Sequence, residues 1–443
     1  MTINIIGAGL AGSEAAYQLA KRNFKVKLYE MRPIKLTEAH KTGNFAELVC
    51  TNSLRSNDIT NAVGLLKYEM EELDSLIIRA AKNTSVPAGG SLAVDREEFS
   101  KYIENELLQF KNIEVINEEV TKINEDEITI IATGPLTSSE LFKEIQSLIG
   151  LNQLHFFDAV APIISKDSIN MDICYLKNRY DKGEAAYINC PMSKEEYEFF
   201  YNELINAKTV APKDFEKNVF EGCMPVEVMA KRGAQTLTFG PLKPVGLEKP
   251  DGTKPYAVIQ LRRDDALNEM YNIVGFQTSL TFGEQKRIIN LIPGLEKANI
   301  IRYGVIHRNT YIESPEVLNN SFQVINKPNI FFAGQISGVE GYVESAASGL
   351  NVAIQVTSLL KNNKLSPLPE TTVLGSMARY VSTKNQNFVP MNANFGLLPS
   401  LDLKHKKNER KQLYAKRSLD DLNQFKEEFN ELFWNVWALF INN

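Results

Sequence analysis

The chain has 443 residues, of which 44% are hydrophobic and 23% charged, and its formal net charge is −5. This length suits two domains, and the composition is that of an ordinary globular protein. Because the net charge is negative, the protein surface as a whole does not attract polyanions. Any nucleic-acid site must therefore be a local basic patch. The four cysteines form no CxxC pair and have no His/Cys ligand spacing, which argues against a zinc or iron–sulfur site.

The N-terminus has no charged leader pattern, and no apolar run reaches the roughly eighteen residues that a membrane span needs. We therefore expect no membrane contact and a reducing, cytoplasmic location, in which the cysteines remain thiols.

The first thirty residues predict the unit around which the chain is organised. A strand at residues 2–6 leads into a glycine-rich turn, a helix at 13–23 and a second strand at 25–29. The turn consists of Gly7, Ala8, Gly9, Leu10, Ala11 and Gly12. In a dinucleotide-binding unit the first glycine permits the tight turn, the second lets backbone approach a pyrophosphate, and the third lets the helix pack on the sheet. Glu30 ends the second strand and can accept a hydrogen bond from a ribose hydroxyl, and we assign it to this site together with Arg32.

The rest of the chain alternates between helix and strand patterns. They are a helix at 62–82, an extended stretch at 86–95, a helix at 96–110, strands at 113–123 and 127–135, a helix at 194–207, and strands at 256–261, 271–276 and 328–335. The last strand is followed by small residues and a helix, which predicts a second contact with the nucleotide. We assign Gly334, Gly341 and Ser345 to that contact.

The predicted fold class is α/β, with a Rossmann-like FAD-binding domain closed by both chain ends and an inserted mixed α/β domain, since a late strand that returns to the nucleotide domain is typical of flavoproteins. The predicted divisions are residues 1–150 and 301–417 for the first, 151–300 for the insertion, and 418–443 for a C-terminal amphipathic helix. A second GxGxxG turn on a strand–helix pair is lacking, which argues against a separate nicotinamide domain of the glutathione-reductase kind.

The tail has two parts with different chemistry. Residues 404–417 contain the densest basic cluster, which is either an RNA-phosphate contact or a solvated basic face. Residues 419–440 place apolar side chains on one helical face, which we expect to pack on the body of the chain or on a second subunit.

Three further residues have surroundings that suit chemistry. Cys223 precedes a predicted helix at 225–233, whose dipole would favour a thiolate, and Cys50 lies where a short apolar run ends in a polar loop. Either cysteine can instead be a small core residue, as we expect Cys174 and Cys190 to be. His307, flanked by arginine and tyrosines, suits stacking on a planar ring, proton transfer or a purely structural role.

These motifs match a known family along most of the chain. The matching stretches are residues 7–16, 29–33, 45–53, 86–96, 132–137, 189–192, 221–225, 302–310, 338–349 and 390–398. In them the chain resembles the folate- and FAD-dependent tRNA (uracil-5-)-methyltransferases. The resemblance covers the chain from its start to about residue 417.

The resemblance implies a reductive methylation, in which a methylene group from 5,10-methylenetetrahydrofolate is transferred to uracil C5 and reduced through FAD. NAD(P)H would be the reductant. The thiol that adds to uracil C6 aligns with Cys223, and a second functional thiol near the flavin aligns with Cys50. A histidine that stacks on folate aligns with His307, and we assign Tyr342 to the same substrate site. The target uridine, in the T-loop of tRNA, would have to leave its stack.

Two alternatives stay open at this point. One is the same chemistry on a uridine of 23S ribosomal RNA. The other is an FAD-dependent protein that modifies the wobble uridine of tRNA with a partner, since such proteins share the glycine-rich start. The C-terminal amphipathic helix also leaves a homo-oligomer open.

Overall fold

Strands from both halves of the chain form one largely parallel sheet that carries the glycine-rich turn. The computed structural model describes residues 2–37, 39–150, 154–159, 161–181, 185–210, 224–385, 388–401, 406 and 408–430, without the side chains of 154–159, 181 and 306–308. The described strands are β1 (Thr2–Ile6), β2 (Lys25–Tyr29), β3 (Ser53–Ser56), β4 (Ser85–Val86), β5 (Ser91–Val94), β6 (Ile113–Ile116), β7 (Thr129–Ile131), β8 (Leu154–Ala159), β9 (Ile163–Ser165), β10 (Tyr175–Leu176), β11 (Tyr187–Met192), β12 (Ala257–Arg263), β13 (Met270–Ile273), β14 (Ile300–Arg302), β15 (Ile306–Tyr311), β16 (Gln323–Val324) and β17 (Lys327–Phe332).

Thirteen α-helices lie between and after these strands in the described part of the chain. They are α1 (Leu10–Lys21), α2 (Ala62–Glu72), α3 (Leu76–Asn83), α4 (Arg96–Leu108), α5 (Ser139–Ile149), α6 (Lys194–Ile205), α7 (Val226–Lys231), α8 (Thr236–Phe239), α9 (Phe282–Ile289), α10 (Ser314–Val317), α11 (Tyr342–Asn362), α12 (Val373–Ser382) and α13 (Arg410–Glu428). None of these described helices is long and apolar enough to cross a membrane.

The parallel sheet has the strand order β16–β17–β7–β1–β2–β6, in which only the β16–β17 pair is antiparallel. β17 comes from the second half of the chain and pairs with β7, so Ile330 lies opposite Thr129. Apolar strand residues such as Ile5, Ile130 and Phe331 are fully buried in the first hydrophobic core. The carboxyl ends of β1, β7 and β17 therefore lie side by side, which is where ligands bind in such sheets.

A second sheet and a second core are formed by residues that lie between β7 and β15 in the sequence. This sheet is antiparallel throughout, with the order β10–β11–β12–β13–β9–β14. Its core contains Phe200, Ile259 and Phe276, all essentially inaccessible to solvent. β15 pairs with β8 in a separate two-stranded ribbon.

Most predicted elements are confirmed, with differences at their ends. The first strand spans the predicted residues, but α1 begins at Leu10 because Gly9 already occupies its N-cap position. The helix predicted at 62–82 is two helices, since Asp74 has a φ of 55° and Ser75 caps α3 through its side chain. The strand predicted at 113–123 ends at Ile116.

The two cysteines expected to be structural are neighbours. Cys174 and Cys190 are buried in the second core, and their Sγ atoms lie 3.4 Å apart. Antiparallel pairing of β10 with β11 brings them opposite each other.

The described part of the C-terminal helix packs on the body of the chain. Leu422 and Phe425 on α13 are buried in the first core. Residues 431–443, which include both tryptophans, lie outside the described residues, so the predicted oligomer contact stays a prediction.

Candidate functional site

A cleft opens at the carboxyl ends of the parallel strands. The lining residues already assigned from the sequence are Gly7, Gly9, Leu10, Ala11, Glu30, Arg32, Gly334, Tyr342 and Ser345. The turn after β7, residues 133–138, also lines the cleft. Three assigned residues, Ala8, Gly12 and Gly341, lie next to the lining and support it through the contacts described below.

The three glycines of the turn differ in what surrounds them. Gly7 has a φ of 100°, which strains any other residue. A Cβ on Gly12 would lie 1.8 Å from the carbonyl oxygen of Gly7, so only glycine allows α1 this close to β1. At Gly9, by contrast, no heavy atom of the described chain lies within 4 Å of a Cβ. The backbone at Gly9 is therefore open to the cleft.

The first backbone N–H groups of α1 have no side-chain cap among the described residues and face the cleft. Gly9 is the N-cap of α1. The N–H groups of Leu10 and Ala11, which line the cleft, have no acceptor within the helix. Together with the helix dipole, they suit a phosphate group.

α11 brings a second helix N-terminus to the same cleft. A Cβ on Gly349 would lie 2.1 Å from the carbonyl oxygen of Ala11, so a small residue is required where α11 crosses α1. Gly341, with a φ of 113°, is the N-cap of α11, and its carbonyl accepts the N–H of Ser345 at 2.9 Å. Gly334 lies just after β17, and its N–H donates to Ser348 Oγ at 2.7 Å.

Glu30 is held by a neighbour on its own loop. Arg32 Nε donates to Glu30 Oε1 at 2.9 Å and Arg32 Nη2 donates to Oε2 at 3.1 Å, while the Ala8 N–H donates to Oε2 at 2.9 Å. Burial alone would raise the pKa of Glu30, but the hydrogen bonds and charge of Arg32 outweigh it and hold the pKa below its ordinary value. Glu30 is therefore an ionised acceptor whose position is fixed before a ligand binds.

Cys50, in the loop that follows the first strand–helix–strand unit, lies beside the cleft. Tyr342, at the start of α11, accepts the Cys50 N–H at 2.7 Å and the Thr51 N–H at 3.3 Å with its hydroxyl oxygen. Burial and the nearby Cys50 raise the pKa of Tyr342 well above its ordinary value, so the hydroxyl keeps its proton. Val49, the residue before Cys50, lines the cleft.

Two arginines hold the backbone just before Cys50. Arg302 donates to the carbonyl of Val49 at 2.9 Å, and Arg96 donates to the carbonyl of Leu48. Arg96 also forms a two-point ion pair with the buried Asp264, with distances of 2.9 and 3.1 Å. Since Asp264 follows β12 of the second sheet, the Cys50 segment lies where the two cores meet.

A third arginine extends this contact. Arg262 donates to Asn52 Oδ1 at 3.2 Å and to the Thr51 hydroxyl, and Asn52 donates to the Arg263 carbonyl at 3.0 Å. Sequence reasoning did not identify these arginines or Asp264, because their partners are remote in the chain and no local spacing marks them.

The structure describes little of two predicted site residues, Cys223 and His307. Cys223 lies outside the described residues, and the helix predicted after it, α7, has only six residues with Pro225 as its N-cap. His307 lies on β15 with its backbone opposite Asp158, and its side chain is outside the described part of the structure.

Two arginines of the basic cluster in residues 404–417 make contacts within the protein. The guanidinium groups of Arg410 and Arg417 lie 5.4 and 5.3 Å from the ring centre of Tyr414, and Arg417 donates to the carbonyls of Pro399 and Ser400. Residues 402–405 and 407 lie outside the described residues, so the predicted RNA contact remains a prediction.

The chain is similar to several known proteins. A family model described as glucose inhibited division protein A matches residues 2–364. The methylenetetrahydrofolate--tRNA-(uracil-5-)-methyltransferase of Acholeplasma laidlawii is 64% identical over 96% of this chain and 99% of its own length. That of Bacillus subtilis is 60% identical over 95% of this chain and 98% of its own length. The solved structure of Aquifex aeolicus GidA superposes with a TM-score of 0.68 at 15% identity, over 97% of this chain and 75% of that one, which is a likeness of fold.

Proposed function

The chain belongs to the glucose inhibited division protein A family and, within it, to the methylenetetrahydrofolate--tRNA-(uracil-5-)-methyltransferases, and we propose that it forms 5-methyluridine in the T-loop of tRNA. The carbon comes from 5,10-methylenetetrahydrofolate. The observation that carries the proposal is the 64% identity over 96% of this chain and 99% of the Acholeplasma laidlawii enzyme.

FAD fits the cleft described above. The open backbone at Gly9 and the uncapped first-turn donors of α1 suit its diphosphate, and the ionised Glu30, fixed by Arg32, suits a ribose hydroxyl. The N-terminus of α11, from Gly341 to Ser345, is the second backbone contact. When bound, FAD supplies the hydride that turns the transferred methylene into a methyl group. NAD(P)H is the proposed source of these electrons.

The protein's own part in the reaction is to activate C5 of the uracil. Cys223, as a thiolate, forms a bond to C6, which moves electron density onto C5. C5 then bonds to the methylene carbon while the bond from that carbon to its donor nitrogen breaks, the proton on C5 is lost, and the C6–S bond breaks to release the thiolate. Cys50, whose backbone N–H is held by Tyr342 beside the cleft, is the second functional thiol.

We assign His307 to stacking against the folate, and Tyr342 to the position between folate and the Cys50 segment. Residues 1–150 with 301–417 form the proposed nucleotide domain and 151–300 the insertion, since the two sheets and cores draw on these parts of the chain. A tRNA substrate and a reduced nicotinamide both favour a cytoplasmic location.

The test is methyl transfer by the purified protein and by the cell. Purified protein with FAD, NAD(P)H and carbon-labelled 5,10-methylenetetrahydrofolate should place the label in 5-methyluridine of a tRNA transcript. Nucleoside analysis of a deletion strain should show the loss of 5-methyluridine from tRNA. Loss from 23S ribosomal RNA instead, or activity only with a second protein on the wobble uridine, would replace this proposal with one of the alternatives.

A further inference from the structure

An exposed phenylalanine lies against a half-buried tyrosine that directly follows β14 of the second sheet. Phe282, the first residue of α9, is 59% exposed, and its ring centre lies 4.8 Å from that of Tyr303 with the planes 35° apart. An exposed phenylalanine gains free energy when a partner covers it. Outward-facing rings are also the feature on which unpaired nucleic-acid bases stack.

The backbone beneath the two rings is fixed. Gln285, which is completely buried, donates to the carbonyls of Leu280 and Gly304 at 2.8 Å each, and its Oε1 accepts the Gly304 N–H at 2.8 Å. One side chain thus ties the start of α9 to the loop that carries Tyr303. A surface fixed in this way loses little conformational entropy when a ligand stacks on it.

Tyr303 is linked to the first candidate cysteine. It follows Arg302 directly, and the guanidinium of Arg302 donates to the carbonyl of Val49 at 2.9 Å. Val49 lines the cleft and precedes Cys50. Tyr303 of the aromatic pair is therefore the sequence neighbour of Arg302, which contacts the backbone at the rim of the proposed active site.

Phe282 is linked to the chain on both sides of the second candidate cysteine. Residues 211–223, which include Cys223, lie outside the described residues. On one side of them the Val210 N–H donates to the Ser279 carbonyl at 2.8 Å, and on the other the Val226 N–H donates to the Gln277 carbonyl at 2.7 Å. The described flanks of this stretch are thus both bonded to the few residues that precede Phe282.

The buried Glu227 strengthens the second of these anchors. Its carboxylate accepts hydrogen bonds from the Ser279 N–H at 2.7 Å, from the Ser279 hydroxyl at 2.6 Å and from the Thr278 hydroxyl at 2.9 Å. These three hydrogen bonds to Glu227 hold α7 against the segment that leads into Phe282.

The charges around the pair are compatible with a polyanion. The one carboxylate in the first turn of α9, Glu284, is paired with Arg287 at 2.7 Å. Lys208, whose carbonyl accepts the Thr281 N–H at 3.0 Å, has an exposed side chain. Arg287 is also paired with Glu203, so two carboxylates share one guanidinium, and the exposed Lys208 is the cation that a phosphodiester next to a stacked base would meet.

We propose that Phe282 and Tyr303 form a stacking platform for an unpaired base of the substrate RNA, next to the uridine that is methylated. The proposal rests on the proposed function, because it takes the RNA as the substrate. A target uridine that leaves its stack exposes the faces of its neighbours, and a fixed aromatic platform can hold one of them.

The test compares Phe282→Leu, which keeps an apolar side chain but removes the ring, with Phe199→Ala. Phe199 on α6 is 58% exposed and matches Phe282 in type and exposure. With a tRNA transcript, Phe282→Leu should raise the KM for RNA roughly tenfold or more, without the same rise in the KM for 5,10-methylenetetrahydrofolate. Phe199→Ala should leave both values unchanged. Retained FAD in each variant shows that the fold is intact.

A second measurement identifies the base. Transcripts with an abasic site at each nucleotide flanking the target should be tested in turn, and one of them should abolish the difference between wild-type protein and Phe282→Leu. An unchanged KM for RNA in Phe282→Leu, or a difference that persists with every abasic transcript, would overturn the platform. A rise in the KM for folate instead would assign the rings to the folate. Wild-type protein that methylates no RNA would refute the proposed function and not the platform alone.

Discussion

The hydroxyl oxygen of Tyr342 accepts the backbone N–H of Cys50 at 2.7 Å, across 292 positions of the sequence. This bond joins the start of α11 to the segment that follows the first strand–helix–strand unit. It places a candidate catalytic thiol at the rim of the cleft that the glycine-rich turn lines. Since the Thr51 N–H donates to the same oxygen, one side chain satisfies two backbone donors.

Removal of this acceptor should affect both stability and catalysis. In Tyr342→Phe the N–H groups of Cys50 and Thr51 lose their partner, which should lower the free energy of unfolding by about 1–3 kcal/mol and reduce methylation. Chemical denaturation and methyl transfer to a tRNA transcript measure the two effects. Tyr380→Phe is the control, since the Tyr380 hydroxyl donates to the Val389 carbonyl. Equal losses of methylation in both variants would contradict a specific role for Tyr342.

Substitutions of the second and third glycines of the turn should have different effects. Gly9→Val should fold but lose bound flavin, because its side chain enters the open cradle of the diphosphate. Gly12→Ala should lower the free energy of unfolding by about 1–3 kcal/mol, because its Cβ meets the Gly7 carbonyl oxygen. Gly90→Val, where a Cβ also has open space among the described residues, should retain flavin. Full flavin content in Gly9→Val, measured by absorbance, would refute the assignment.

The two candidate catalytic cysteines should also be separable. RNA with 5-fluorouracil at the target should form a stable adduct with Cys223, since fluorine at C5 blocks the final elimination. Cys223→Ala should lose methylation and the adduct while FAD remains bound. Cys50→Ala should lose methylation and change the flavin spectrum. Mass mapping of the adduct to Cys50 in wild-type protein would exchange the roles of the two cysteines.

His307→Ala should separate the half-reactions. If His307 stacks on folate, the variant should raise the KM for 5,10-methylenetetrahydrofolate while oxidation of NAD(P)H by the bound flavin continues. Parallel loss of both half-reactions and of FAD would show that His307 is a structural residue.

A buried carboxyl group should make stability depend on pH. Glu69 accepts the Val373 and Leu374 N–H groups at 2.8 and 2.9 Å and binds the Ser418 hydroxyl, and burial raises its pKa to about 7. The folded state thus holds a proton between the ordinary pKa of 4.5 and about 7 that the unfolded state has released. The free energy of unfolding should therefore fall as the pH rises through this window, by at most about 3 kcal/mol.

The measurement is the free energy of unfolding at several pH values for wild-type protein and Glu69→Gln. The slope between about pH 5 and 7 should flatten in Glu69→Gln, because this group no longer titrates. Glu72→Gln, exposed on the same helix, should retain the wild-type slope. Identical slopes in all three proteins would show that Glu69 is ionised in the folded state throughout the window.

The amino-acid sequence by itself determined the features that depend on neighbours in the chain. The spacing of Gly7, Gly9 and Gly12 was enough to predict the glycine-rich turn. A tight turn, a backbone that is open to a ligand and a close helix crossing are each decided within about ten residues. The same holds for Glu30 at the end of β2. The density of matching motifs then identified the family, although no local pattern states which RNA is the substrate.

Tertiary structure alone decided the contacts between remote residues. Tyr342 meets Cys50, Arg302 reaches Val49, and the ring of Phe282 lies against that of Tyr303 only in the folded chain. Nothing in a local pattern encodes such pairs, because each residue has an ordinary neighbourhood in the sequence. Their proximity follows from the order of strands in two sheets and the packing of side chains between them, which physical close packing fixes to within a fraction of an ångström.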